Sequence, residues 1–361
     1  MESIFIPRYF WNGTNDEVCT NTAVLVRDNR IEQIDEPEKL RLGYPEAQVL
    51  ESKDWLMMPA FVDAHDHGRG MSPISFRTPD RALEMWLQDL NKLPAIPHYQ
   101  ACYYDGMRLV SSGVGMVLHS HNPNSFAKIR EEMVAAEKGY KDAGIRSILC
   151  PLYLDQNKRI YYDRDKFISD LPEPLRTNFA AGIHDKIMNM DEYFQLVEGI
   201  CEDLADDIKA GWTEVQLHPN GGQWCSDEAL LQMKEYALEH GMYIHLHLLE
   251  TQYQAEYAKR TWGKSFIKHY KEIGFLGPWV SFAHAVWLDE EDLQLIAESG
   301  AHLITNPSSN LRLRSGIFNM QRANELGIDC GIGLDGCAFD DDQDYLREIR
   351  VAWLNNLHNG V

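Results

Sequence analysis

Basic residues are scarce in this chain. Its 361 residues include 34 Lys and Arg against 55 Asp and Glu, a formal net charge of −21. Such a surface repels polyphosphate and anionic lipid, so neither nucleic acid nor membrane is an expected partner. No apolar run approaches the length of a membrane span. The opening residues, Met1-Glu2-Ser3-Ile4-Phe5-Ile6-Pro7-Arg8, lack a basic region followed by a long apolar core, and no signal peptide is expected. The 7 cysteines are scattered without a Cys-x-x-Cys pair, which predicts free thiols in a reducing cytoplasm. Internal repeats and low-complexity linkers are absent. No strand is followed by a Gly-x-Gly-x-x-Gly turn into a helix, which counts against an open doubly wound sheet. What remains, 44% hydrophobic and 25% charged, is ordinary globular material for one large domain or two smaller ones.

The most informative stretch runs from Trp55 to Gly70. Pro59 allows only a strand entry or edge. Phe61-Val62-Asp63-Ala64 then reads as a short buried strand that delivers His65 and His67 before breaking at Gly68. Alternate strand residues share a face, so the two imidazoles project together from the strand end. That arrangement suits two ligands of one metal ion. A bare His-x-His pair is more often two unrelated histidines, and its weight depends on the rest of the chain.

Residues 1–56 read as short strands and turns, a small β subdomain that could be half of a β-sandwich: 22–26, 30–34 and 48–50 are β-rich, with Asp28-Asn29 as a turn. Residues 57–361 read as the main domain. Asp80 is placed to cap a helix through 80–87, and another helix covers 99–111. From Gly113 onward buried strands alternate with helices. Strands are predicted at 113–118, 145–150, 215–217, 243–247, 279–284, 302–305 and 329–335. Counting 61–64, these make eight strand–helix units, which predicts an α/β protein built as a (β/α)8 TIM-like barrel with a small N-terminal β-sheet subdomain.

Catalytic residues of such barrels gather at the C-terminal ends of strands. Of the 14 histidines, His65, His67, His119, His121, His218, His245, His247 and His284 fall at or beside strand ends, joined there by Glu250 and Asp335. Any one of them alone would pass for a satisfied core histidine, but the set together does not. The sequence resembles the amidohydrolase superfamily, and within it the aminohydrolase and chlorohydrolase branch that includes guanine deaminase, S-adenosylhomocysteine deaminase and triazine hydrolases. The resemblance rests on 59–67 (Pro-Ala-Phe-Val-Asp-Ala-His-Asp-His), 217–219 (Leu-His-Pro) and 247–251 (His-Leu-Leu-Glu-Thr). It continues through 283–288 (Ala-His-Ala-Val-Trp-Leu), 306–310 (Asn-Pro-Ser-Ser-Asn) and 333–336 (Gly-Leu-Asp-Gly).

The resemblance implies one divalent metal ion, zinc with iron as the alternative, held by His65, His67, His247 and Asp335. It makes Glu250, His284 and Asp335 the catalytic groups and places His218 against the substrate. Three imidazoles and a carboxylate leave an open position for water, as a catalytic zinc or ferrous site requires. A cation beside Glu250 is expected to keep it ionised and ready to take a proton. No lysine at a strand end offers a carbamate to bridge two metals, so about one metal ion per chain is expected.

The expected activity is hydrolytic deamination of a nitrogen heterocycle of purine, pterin, pyrimidine or triazine type. The alternatives are hydrolysis of a cyclic amide or a C–Cl bond, and an inactive metal-binding relative. His119 and His121 are candidates for substrate contact, or else a loop pair bonding barrel backbone. Trp86, Tyr153 and Trp224 could stack on a planar ring or simply pack. Arg69 could meet an anionic group or water. Relatives in this branch add strands to the N-terminal sheet after the barrel, whereas this sequence ends just past the eighth predicted helix. The alternatives are a sheet that is incomplete, swapped or supported by another subunit, or a truncated sequence; a homo-oligomer, dimer or higher, is expected.

Overall fold

The computed structural model describes residues 2–14, 16–90, 93–156, 161, 164–181, 188–336 and 341–357. The chain divides into two compact units, Met1–Ala60 and Phe61–Val361.

The first unit holds β1 (Glu2–Phe10), β2 (Ala23–Arg27), β3 (Arg30–Asp35) and β4 (Gln48–Met57), paired in the order β3-β2-β1-β4. The β2–β3 connection turns through Asp28 and Asn29, both left-handed, as these residue types permit. The reading of short strands missed two features. β1 is an interior strand, paired on both sides, although it contains Pro7. The antiparallel pairing with β2 ends at Phe5, and the parallel pairing with β4 slips between Pro7 and Tyr9. Proline therefore sits where one ladder has stopped and the other is irregular. The second is a helix, Pro37–Gly43, whose Leu40 joins Ile4, Ile6, Ala23 and Leu25 in the core. The apolar run at Trp55-Leu56-Met57 belongs to β4.

The second unit is a mixed α/β structure with two parallel four-stranded sheets. One is β5 (Phe61–Asp66), β6 (Val114–Ser120), β7 (Arg146–Cys150) and β9 (Thr213–Val215), with the short β8 (Leu152–Tyr153) between β7 and β9 in the chain. The other is β11 (Ile244–Leu248), β12 (Val280–His284), β13 (His302–Thr305) and β14 (Cys330–Ile332). The two-residue β10 (His218–Pro219) pairs with β8. All of β11 is buried, as expected of a parallel strand covered on both faces.

Two observations link the sheets. Leu217 makes a parallel bridge to Ile244. Past β14, the Leu334 N–H donates to Asp63 Oδ1 (3.0 Å) and the Asp335 N–H to the His65 carbonyl (2.8 Å). Gly333 permits this approach: a Cβ there would lie 2.7 Å from the His65 oxygen and 2.8 Å from its Cβ.

Helices pack outside the strands. Phe266, Tyr270, Phe275 and Phe282 are fully buried in the largest core cluster. Helix ends follow local chemistry. Ser226 caps the helix Asp227–His240, which ends at left-handed Gly241, and such a cap contributes about 1 kcal/mol. The helix expected at 80–87 instead spans Leu83–Asp89 with Ala82 at its N-cap. Asp80 does not cap it but accepts two hydrogen bonds from Arg312. No helix among the described residues is long and apolar enough to cross a membrane.

One buried acid makes stability depend on pH. Glu137, on the helix Ile129–Ala143, is pushed up to about 7 by burial and then by Asp207, against Lys141. Its folded value exceeds the unfolded 4.5, so its contribution is complete below that pH and is lost as pH rises through about 7. Glu137→Gln is therefore expected to raise Tm relative to the parent above about pH 7 and to leave it unchanged below 4.5. Paired melting curves across that range check it; an equal difference at all pH values would refute it.

Candidate active site

His65 and His67 sit at the end of β5 and immediately beyond it, His247 on β11, and His284 ends β12. Asp335 follows β14 in a turn. The His67 Nε2 lies 3.0 Å from Asp335 Oδ1, the His65 Nε2 3.4 Å from the same oxygen, and the His247 Nε2 3.4 Å from His67 Nε2. Two triads sharing His65 could hold an ion: His65–His67–Asp335 and His65–His247–His284, the donor atoms of each lying within 4.8 Å of one another.

The donors fit a cation. The His65 Nε2 is buried and has no hydrogen-bond partner, an arrangement that costs free energy unless something is bound there. Burial pulls His65 down to about 4, against the opposing effect of Asp335. Burial, then the neighbouring histidines, hold His247 well below its ordinary value. Burial alone would push the Asp335 carboxyl up, but the imidazoles of His65 and His67 beside it outweigh burial and keep it well below the usual range. Neutral imidazoles around a carboxylate are what a divalent ion requires.

The far side of each ring is fixed by the protein. The His67 Nδ1 lies 2.7 Å from the Ser120 carbonyl, the His247 Nδ1 2.5 Å from the Asn220 carbonyl, and the His65 Nδ1 2.7 Å from His245 Nε2. His245 Nδ1 in turn reaches Ser281 Oγ at 2.8 Å. Ser309 Oγ donates to Asp335 Oδ2 at 2.5 Å. The backbone is left-handed at Leu249, His284 and Asp335 (φ +52°, +79° and +58°). Such strain costs about 1–3 kcal/mol per residue and gathers where function over-determines geometry.

Glu250 follows β11, and its Oε2 lies 3.6 Å from His284 Nε2. Ser315 Oγ donates to its other oxygen at 3.4 Å, and the His284 Nδ1 is 3.0 Å from Asn310 Oδ1. Burial pushes Glu250 up to about 7; His284 opposes this, and Asp335 and Glu84 add to it. A cation bound beside it would lower that value, as the sequence argument expected. A carboxyl poised near neutrality can both take and give a proton.

A cavity of about 420 Å³ is lined by His67, His247, Glu250, His284 and Asp335, together with Arg69, Trp86, His98, Asn220 and Trp224. Trp224 and Trp86 thus have access to a ligand. Arg69 lies over the Trp86 ring at 5.1 Å and donates to the Asp335 carbonyl. Tyr153 is core, tilted against Tyr193.

Three expected substrate contacts are not in the cavity wall. Both nitrogens of His218 are engaged, Nε2 with Ser120 Oγ (2.8 Å) and Nδ1 with the His245 carbonyl (2.6 Å). His119 bonds Tyr140 and His121, and His121 reaches Glu132. Sequence reasoning missed His98, Asn220 and Ser120. The last two act through main-chain carbonyls, which no side-chain pattern reveals.

The model of the amidohydrolase family matches residues 56–360. The chain belongs to that family. It is thus a hydrolase acting on carbon–nitrogen bonds. Within the family it is 28% identical over 344 residues to the 5′-deoxyadenosine deaminase of Methanopyrus kandleri, covering 94% of this chain and 72% of that protein. It is also 28% identical over 360 residues to the 5-methylthioadenosine/S-adenosylhomocysteine deaminase of Thermococcus onnurineus, covering 97% and 74%. Among solved structures, an adenosine deaminase from Xanthomonas campestris with bound zinc superposes with a TM-score of 0.78 at 20% identity, over 99% of this chain and 74% of that one. At that identity the likeness speaks to the fold.

Proposed function

We propose that this amidohydrolase is a zinc-dependent deaminase of adenine nucleosides altered at the 5′ position. The observation that carries the reading is the convergence of His65, His67, His247 and Asp335 beside the Glu250–His284 pair on one cavity. The names of the similar family members supply the substrate class. The proposed frame is a closed eight-stranded barrel with residues 1–60 as an accessory sheet. The Leu217–Ile244 bridge and the hydrogen bonds from 334–335 to 63–65 support closure.

In this reading His65, His67, His247 and Asp335 hold the ion. When bound, it supplies Lewis acidity that brings the pKa of water toward neutrality. Glu250 takes a proton from water and passes it to the purine ring nitrogen. Oxygen bonds to the ring carbon that bears the amino group, the C–N bond breaks, and ammonia leaves with a second proton. His284, anchored by Asn310, holds water in line and offsets developing charge. Trp224 and Trp86 flank a planar base.

His218 is a positioning residue here. Its two nitrogens tie together Ser120 and His245, and these residues orient His67 and His65. Loss of such outer support typically costs 10–100-fold in metal affinity. His218→Ala is expected to weaken zinc binding by about that factor, read by competition with a chromophoric chelator. Unchanged affinity with a raised KM would return His218 to the substrate.

Substrate class is tested on zinc-loaded protein by ammonia release from adenine nucleosides, free purines, pterins, pyrimidines and aminotriazines, and by ring opening of cyclic amides. The adenine nucleosides are expected to show the highest kcat/KM. Turnover of a triazine or cyclic amide with none of the nucleosides would overturn the reading.

A further inference from the structure

His119 and His121, either side of the last residue of β6, have no part in the chemistry above, yet they lead into a second group of donors. His121 is fully buried just past β6. His98 is the first residue of the helix His98–Ser111, and Glu132 lies in the first turn of the helix Ile129–Ala143. The His98 Nε2 lies 3.3 Å from Glu132 Oε2, and the His121 Nε2 lies 3.2 Å from that same oxygen. The two rings stand 4.6 Å apart. All three donor atoms fall within 4.8 Å of one another. The His98 side chain is 10% exposed, and its Nε2 is buried without a hydrogen-bond partner. A buried, unpartnered nitrogen aimed at a carboxylate needs a reason.

The surroundings orient these groups as the outer partners of a metal centre do. The Asn124 and Ser125 N–H groups donate to the two Glu132 oxygens at 3.1 and 3.0 Å. His121 Nδ1 is 3.1 Å from His119 Nε2, and His119 Nδ1 is 3.1 Å from the Tyr140 hydroxyl. With protons on the Nδ1 atoms of both rings, this chain leaves the His121 Nε2 lone pair facing Glu132. Burial also holds both His98 and His121 below their ordinary values, so their lone pairs are available.

We propose that His98, His121 and Glu132 form a second divalent-cation site, separate from the strand-end centre and opening onto the same cavity. Two imidazoles and one carboxylate form a recognised zinc donor set, with a further position left for an oxygen ligand. That position is reachable because His98, Asn122 and Asn124 line the cavity. Asn122 lies between the two centres, its Nδ2 3.0 Å from His67 Nδ1. An oxygen-bearing substituent on a cavity ligand is the chemistry this cation would engage.

The test is zinc stoichiometry. Chelator-stripped full-length protein is titrated with zinc by calorimetry and checked by elemental analysis after dialysis. The parent is expected to bind about two ions per chain, and His98→Ala and the His65→Ala, His247→Ala double variant about one each. A parent that binds a single ion, or a His98→Ala that still binds two, overturns the proposal. A single ion lost only in the double variant leaves the strand-end centre, and the deaminase reading, standing. Should His98→Ala misfold by circular dichroism, anomalous diffraction at the zinc edge decides on parent crystals soaked in zinc. A peak between His98 Nε2 and Glu132 Oε2 supports the site, and its absence at saturating zinc rules it out.

Discussion

Glu250→Gln is expected to keep metal and fold, to bind substrate with similar affinity, and to lose at least about 10² in kcat. Glutamine preserves the shape and the hydrogen bond from Ser315 but cannot carry a proton. The structure supplies what this role needs: a carboxyl 3% exposed, on the cavity wall, 3.6 Å from His284 and pushed up to about 7. A plainer role would have Glu250 pairing with a surface cation such as Lys259 or Arg260. Instead Arg260 donates to the Tyr161 carbonyl at 2.5 Å, and Glu250 is buried. Steady-state kinetics on the zinc-loaded variant separate the two. A kcat near the parent's, with only a small loss of stability, would remove Glu250 from proton transfer.

The second large effect is expected from the ligands. The His65→Ala, His247→Ala double variant should lose strand-end zinc and fall to background turnover. These two imidazoles come from β5 and β11, one from each parallel sheet, so no single element can restore the centre. An ion bound only by the folded state stabilises it by about 4 kcal/mol at a thousandfold excess over Kd. Chelation should therefore lower the Tm of the parent, which loses the strand-end ion, by more than that of the double variant. Equal chelator sensitivity in both would place the tightly bound ion elsewhere.

The strand-end residues were legible in the sequence for a simple reason. A buried parallel strand has no polar alternation, so a histidine or carboxylate at its end stands out, and period-two geometry puts His65 and His67 on one face. Other features had no such signal. β1 was hidden by Pro7, because the irregular pairing that tolerates proline depends on where β2 and β4 end. His218 looked like its neighbours, and only the partners of its two ring nitrogens place it in the support of the site. His98 follows Pro97 at a helix start and carries no motif; it matters because the fold sets it opposite Glu132. Asp80 satisfied every local rule for a cap and was taken by Arg312, more than two hundred residues away in sequence.

The most direct measurement of the central claim is the fate of water oxygen. Zinc-loaded protein is incubated with 5′-deoxyadenosine in water enriched in heavy oxygen, and product and ammonia are quantified together. The account predicts a hypoxanthine nucleoside carrying one heavy oxygen per molecule, ammonia in equal amount, and neither product from Glu250→Gln on the same timescale. Free adenine, or no product at full zinc loading, would contradict it.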